Sequence, residues 1–284
     1  RQHFMAGGVN RVFLATDGDF NVGTSDPQAL ERLVRRERAS GIGLTVLGFG
    51  RGNYDDATAQ ALAQHGDGIA AYIDGLGEAR RVLVDQLDAQ LHTVARDARI
   101  QVEFDPARVA EYRLVGYETR AMAREDFEDD AADAGDVGAG HQVTALYEIA
   151  LVGSGGERVR PLRYGSTGTA AIERGDELAH VRVRWLAPRD GARAPRGRIE
   201  RAVRAWDVLP TLAAASDDLR FAAAVAGFGE LLRGGRHAGA LDYAAVEALA
   251  RDARGADPAG TRGAFLGLVR LAATQASPEL AGRD

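Results

Sequence analysis

The 284-residue chain has no cysteine, which excludes disulfides, thiolate metal sites and cysteine nucleophiles together. It has no lysine either, so all 35 basic residues are arginines. With abundant alanine and glycine, that bias reads as the mark of a GC-rich genome rather than of a nucleic-acid binder. Aromatic residues are scarce at 6%, and the arginines alternate with acids instead of forming a stripe with aromatics. A surface that tracks phosphates is therefore not expected. No apolar run approaches the roughly 18 residues that a membrane helix requires. The net charge of −6 is mild and favours solubility without naming a partner.

What is present is an ordinary globular composition, 45% hydrophobic, in a chain long enough for two domains or one large one. The chain is organised around 11–23, RVFLATDGDFNVG. Val12, Phe13, Leu14 and Ala15 make a short apolar run that predicts a strand buried on both faces of a parallel sheet. Thr16-Asp17-Gly18-Asp19 then places carboxylates at its carboxyl end, where open α/β sheets bind ligands. On the residues alone, Asp17-Gly18 reads first as a turn after a strand, with Asp19 or Asn21 capping backbone amides.

Downstream, the pattern alternates. Asp26 to Ala39 predicts an amphipathic helix with Ser25 or Asp26 as N-cap and Pro27 in its first turn. Ile42 to Phe49 predicts a strand, Asp55 to Gln64 a helix, Ile69 to Ile73 a strand, and Gly77 to Leu91 one long helix. That is half of a doubly wound α/β fold. From about Thr93 the period shortens to two: 98–104, 109–118, 142–152, 158–164 and 178–186 predict a β-rich, sandwich-like region. Beyond Arg198 the spacing is helical, over 198–206, 216–233, 242–254 and 261–274, with Ser216 and Asp242 as N-caps. Trp185 and Trp206 flank that change and are expected to pack at an interface.

Several chemical signals are weak. Gly48 and Gly50 in GFGRGN follow a strand and precede a helix, but Asn53 stands where a dinucleotide loop needs its third glycine. The acids of 124–136 lack the spacing of an EF-hand loop and predict a solvated loop, with Ca²⁺ binding as the alternative. The six histidines are scattered, and no serine sits in a Gly-x-Ser-x-Gly turn.

The strand running into Thr16-Asp17-Gly18 resembles the last motif of the von Willebrand factor type A (VWA) domain. LATDGDFNVG with LGFGRGNY at 47–54 resembles more narrowly the YfbK-like VWA lipoproteins of bacteria. REDFEDD from Arg124, DAGDVGAGHQVTALYE from Asp133 and SDDLRFAAAVAGFGELLRG from Ser216 are similar to the characteristic C-terminal half of that family. The resemblance implies a truncated VWA domain (a Rossmann-like, doubly wound parallel sheet) over 1–90. A β-sandwich-like domain over 91–193 and a helical segment over 194–284, packed on the β-rich domain, would follow.

It also implies a non-enzymatic, adhesion-type protein of the cell envelope, periplasmic or on the surface. The full-length form would be held by a lipid anchor on an N-terminal part and would bind a protein partner, not nucleic acid. The metal site of such domains is a metal-ion-dependent adhesion site (MIDAS), in which Mg²⁺ or another divalent cation completes its shell with a partner's acid. Asp17 is the metal ligand this implies, with Asp19 and Asn21 as candidate binding residues beside it. The Asp-x-Ser-x-Ser loop that should supply the other ligands occurs nowhere in the chain. The expectation is thus an incomplete site that binds little or no metal, and a sheet with one edge lacking its neighbour. The alternatives are a metal-independent envelope scaffold and an α/β nucleotide-binding enzyme.

Overall fold

The structure, a computed structural model, describes residues 3–17, 26–50, 54–116, 122–129, 134–159, 175–188 and 196–276. It opens with β1 (Asn10–Thr16), α1 (Pro27–Ala39), β2 (Ile42–Gly48), α2 (Asp56–His65) and β3 (Ala70–Tyr72). The three strands are parallel, in the order β1-β2-β3. Asp26 caps α1 by accepting from the N–H groups of Gln28 and Ala29, and Asp55 caps α2 by accepting from Thr58.

The strand buried on both faces is β2, not β1. Val46 packs with Ala59, Leu62 and Ala63 on one side, and Leu47 packs with Ile73 and Val82 on the other. Fully burying side chains such as Val46 and Leu62 contributes roughly 1.5–3 kcal/mol each. In β1, Val12 remains 49% exposed and Phe13 37%. Among the described residues β1 is the edge of this sheet and pairs on one side with β2, so an apolar run marked a strand but not its cover.

The single helix expected over 77–91 is three pieces: α3 (Leu76–Arg80), a π-helical turn (Arg81–Asp85) and α4 (Leu87–Leu91). The π turn rotates the ladder by one residue, with the Gln86 N–H donating to the Arg81 carbonyl at 2.9 Å. Gln90 then reaches back across the break and donates through Nε2 to the Val82 carbonyl at 2.9 Å.

The next elements are β4 (Thr93–Phe104), β5 (Val109–Val115), β6 (Gly135–Gly138), β7 (Leu146–Leu151), β8 (Glu177–Leu186) and β9 (Arg196–Arg204). They form a four-stranded sheet in the order β6-β4-β8-β9 and a two-stranded ribbon, β5-β7. Strand β9 corrects the helix expected over 198–206. Ile199, Ala202 and Val203 have helical spacing, but Gly197 lies against the Trp185 ring where a Cβ has no room. That close approach is a sheet contact. Trp206 is 70% exposed, with the Arg204 guanidinium 5.0 Å from its ring centroid, and does not pack as expected. Most of the strand expected over 158–164 lies outside the described residues.

Three helices close the chain, α5 (Asp217–Leu232), α6 (Tyr243–Asp252) and α7 (Thr261–Ala276), with Ser216 and Asp242 capping the first two. Ala224, Val246, Ala250, Leu266 and Val269 form their shared core. The chain divides into two compact units, residues 1–101, 122–142 and 182–200, and residues 102–121, 143–181 and 201–284.

Candidate functional site

The carboxyl ends of β1, β2 and β3 are tied to one another by their backbones. The Phe49 N–H donates to the Thr16 carbonyl at 2.8 Å, and the Ile73 N–H to the Gly48 carbonyl at 2.7 Å. The Tyr72 hydroxyl donates to the Gly50 carbonyl. Gly50 has φ +85°, and its α-carbon faces Asp17, whose carbonyl oxygen would lie 3.5 Å from a Cβ built there. Gly48 sits beneath the Tyr54 ring with no space for a side chain. Gly48 and Gly50 of the GFGRGN string therefore serve the turn, one for close packing and one for a left-handed backbone.

The rings of Tyr54 and Tyr72 lie 5.4 Å apart at 49°. Burial raises the Tyr54 pKa, and the carboxylates of Asp56 and Asp55 push it in the same direction. Asp55 titrates below its ordinary value because the Thr58 hydroxyl and N–H donate to it, at 2.6 and 3.1 Å.

Asp17 stands exposed at the end of β1. Asp19 and Asn21, the other two expected site residues, lie outside the described residues. A hard cation such as Mg²⁺ takes a near-octahedral shell of oxygens, and Asp17 offers one carboxylate. Among the described residues no group of three or more His, Asp or Glu side chains is arranged to hold a metal ion. The described residues do not by themselves fit the ion.

A second constellation was not anticipated. The acidic stretch expected to be a solvated loop is in part an ordered segment, with a 3-10 turn at Glu125–Phe127 and strand β6 after it. Phe127 is buried, and the segment closes over Arg99, which is 3% exposed. Arg99 Nη1 donates to the carbonyls of Asp126, Phe127 and Asp129 at 2.5, 3.2 and 2.6 Å. Asp97 accepts from Arg99 Nε at 3.2 Å and from Nη2 at 2.8 and 3.0 Å. Arg184 pairs with Glu128 at 3.3 Å and lies 5.9 Å from the Phe127 ring centroid. The signal that could have found it is the alternation of β4: Ile100, Val102 and Phe104 share one face, so Arg99 belongs to the other, two residues from Asp97.

Residues 89–275 match the family described as "Uncharacterized protein YfbK, C-terminal". The protein of that name from Escherichia coli strain K12 is 41% identical over 270 residues, which is 95% of this chain and 45% of that protein. The chain belongs to the YfbK family. This YfbK-family chain thus spans less than half the length of that relative. Among solved structures it is similar to a von Willebrand factor type A protein from Catenulispora acidiphila, with TM-score 0.39 and 16% identity, over 89% of this chain and 57% of the other. It is also similar to the human COPII-coat protein Sec24c, with TM-score 0.36 and 14% identity, over 86% of this chain and 32% of the other. At those scores neither likeness bears on the architecture, which rests on the strands and helices of the YfbK-family chain itself.

Proposed function

We propose that the chain is part of a partner-binding, non-enzymatic VWA-type protein of the bacterial cell envelope. The observation that carries this reading is the end of the parallel sheet. There Asp17 projects from β1 beside Gly50, whose carbonyl the Tyr72 hydroxyl fixes. Ligands of open α/β sheets dock at that end. The resemblance of Thr16-Asp17-Gly18 to the last VWA motif supports binding over catalysis. Envelope location and a lipid anchor on the longer protein are part of the same reading. No helix of the described residues is long and apolar enough to cross a membrane.

In the longer protein a divalent cation would take further oxygen ligands from sequence outside these 284 residues, and Asp17 would be one ligand among several. Titration calorimetry with Mg²⁺ on this chain and on one extended to the length of its relative tests this. Binding by the extended chain, abolished by Asp17→Ala, supports it; micromolar binding by the 284-residue chain alone overturns the incomplete site.

A second reading, a metal-independent scaffold, is favoured by the exposed Trp206, Val208 and Leu209, at 70%, 55% and 50%. Pull-down from envelope extract separates the two, since chelator releases the partner only under the first. A nucleotide-induced rise in Tm would overturn both in favour of an α/β nucleotide-binding enzyme.

A further inference from the structure

Loop-bound metal ions are commonly held by main-chain carbonyls with a carboxylate at one side. The contacts of Arg99 have that composition, with three carbonyls from 126–129 converging on one nitrogen and the Asp97 carboxylate gripping the rest of the guanidinium. We propose that the acidic segment 122–129 is a cation-organised strap, and that the cation is the tethered guanidinium of Arg99 rather than a metal ion.

Three features lead to it. First, the guanidinium meets the strap through backbone oxygens, so it reads the conformation of the 3-10 turn and not its side chains. A helical turn carries partial negative charge on its last carbonyls, and a cation placed there is favoured. Second, the carboxylate nearest to the cation comes from Asp97, on the same strand as Arg99 and in a left-handed conformation with φ +51°. The receiving side therefore belongs to one strand and uses no side chain of the strap. Third, the strap's side chains are divided between two jobs. Phe127 enters the core, while Glu128 reaches Arg184 at 64% side-chain exposure and Glu125 and Asp129 stay at the surface. Clustered acids would repel one another and keep the segment open. The buried cation offsets that repulsion from below and fixes the carboxylates of 125–129 as one acidic face.

The consequence is a strap whose closure needs a positive charge at position 99 but no added ion. Limited proteolysis with trypsin and with a Glu-specific protease, mapped by mass spectrometry, reads cleavage after Arg124, Glu125 and Glu128. The wild-type chain should be equally protected in chelator and in millimolar Ca²⁺. Arg99→Met, which keeps bulk and removes charge, should be cut at these sites about tenfold faster or more. Arg99→Lys, which keeps a charge among the carbonyls, should stay within about threefold of wild type.

Protection of the strap in Arg99→Met equal to wild type would overturn the proposal, and so would wild-type protection that needs Ca²⁺. If Arg99→Met does not fold, Arg99→Lys and the chelator arm still decide. Rapid cleavage of a folded Arg99→Lys chain, with its Tm unchanged, would likewise count against a requirement for charge.

Discussion

The Thr45 hydroxyl donates to Gln90 Oε1 at 3.2 Å in a region where Thr45 is fully buried and Gln90 7% exposed. Arg11 Nη1 donates to the same Thr45 oxygen at 3.3 Å, and Gln90 passes the connection on to the Val82 carbonyl. A polar chain therefore runs from β1 through β2 to the π-helical turn and α4. Thr45 and Gln90 satisfy one another, although Arg11 Nε is buried without a partner, and inside a protein a network of that kind is costly to interrupt.

Gln90→Leu should accordingly destabilise the chain by about 1–3 kcal/mol, because the Thr45 hydroxyl and the Val82 carbonyl lose a partner where water is excluded. Urea denaturation monitored at the parallel sheet measures it. Thr45→Val combined with Gln90→Leu should cost less than the two single changes added together, since each removes the other's orphan.

Gly138→Ala should be among the most damaging of small substitutions. Gly138 of β6 lies directly on the Ala89 main chain of α4, and a Cβ there would overlap its carbonyl. Backbone cannot swing aside as a flexible side chain can, so the cost is about 1–3 kcal/mol or more. Thermal unfolding of the variant checks this, against Gly229→Ala, where a Cβ meets nothing within 4 Å.

The start of α7 should weaken in acid. Asp257 accepts from the N–H groups of Arg262 and Gly263 at 3.1 and 2.8 Å. Burial works to raise its pKa, but those amides and the charges of Arg254 and Arg262 outweigh it and hold the carboxyl below its ordinary value. A carboxyl depressed in the folded state lends stability that is present above its unfolded pKa of about 3.9 and is lost as pH falls through the lower folded value. Protection of the Arg262 and Gly263 amides, taken relative to the intrinsic exchange rate at each pH, should therefore fall below about pH 4, and Asp257→Asn should flatten that dependence. Protection at those amides that stays constant through this pH range would count against Asp257 as the cap.

Legibility followed locality. The caps at Asp26, Ser216 and Asp242 stand where Ser or Asp precedes an apolar period, because a cap bonds to amides two or three residues away. The carboxyl end of β1, with Asp17, was likewise readable from a four-residue run. What could not be read there was cover: Val12 and Phe13 look as buried as Val46 in sequence, and whether helices flank a strand on both faces is a long-range fact. The same holds for 198–206, where helical spacing yields to strand β9 because Trp185, twelve residues before Gly197, demands a flat neighbour.

By itself, then, the sequence determined the order and kind of most elements, their caps, the family and the exposed acid at the end of the first strand. These depend on nearest neighbours and on strings of residues. The tertiary structure decided which strand is central, where the long helix breaks into a π turn, and that Arg99 holds an acidic segment in place. Each of those turns on a partner distant in sequence: Thr45 for Gln90, and the carbonyls of 126–129 for Arg99. Burial and charge pairing are settled only when the chain brings such partners within a few ångströms, where removing water makes a single polar contact worth keeping.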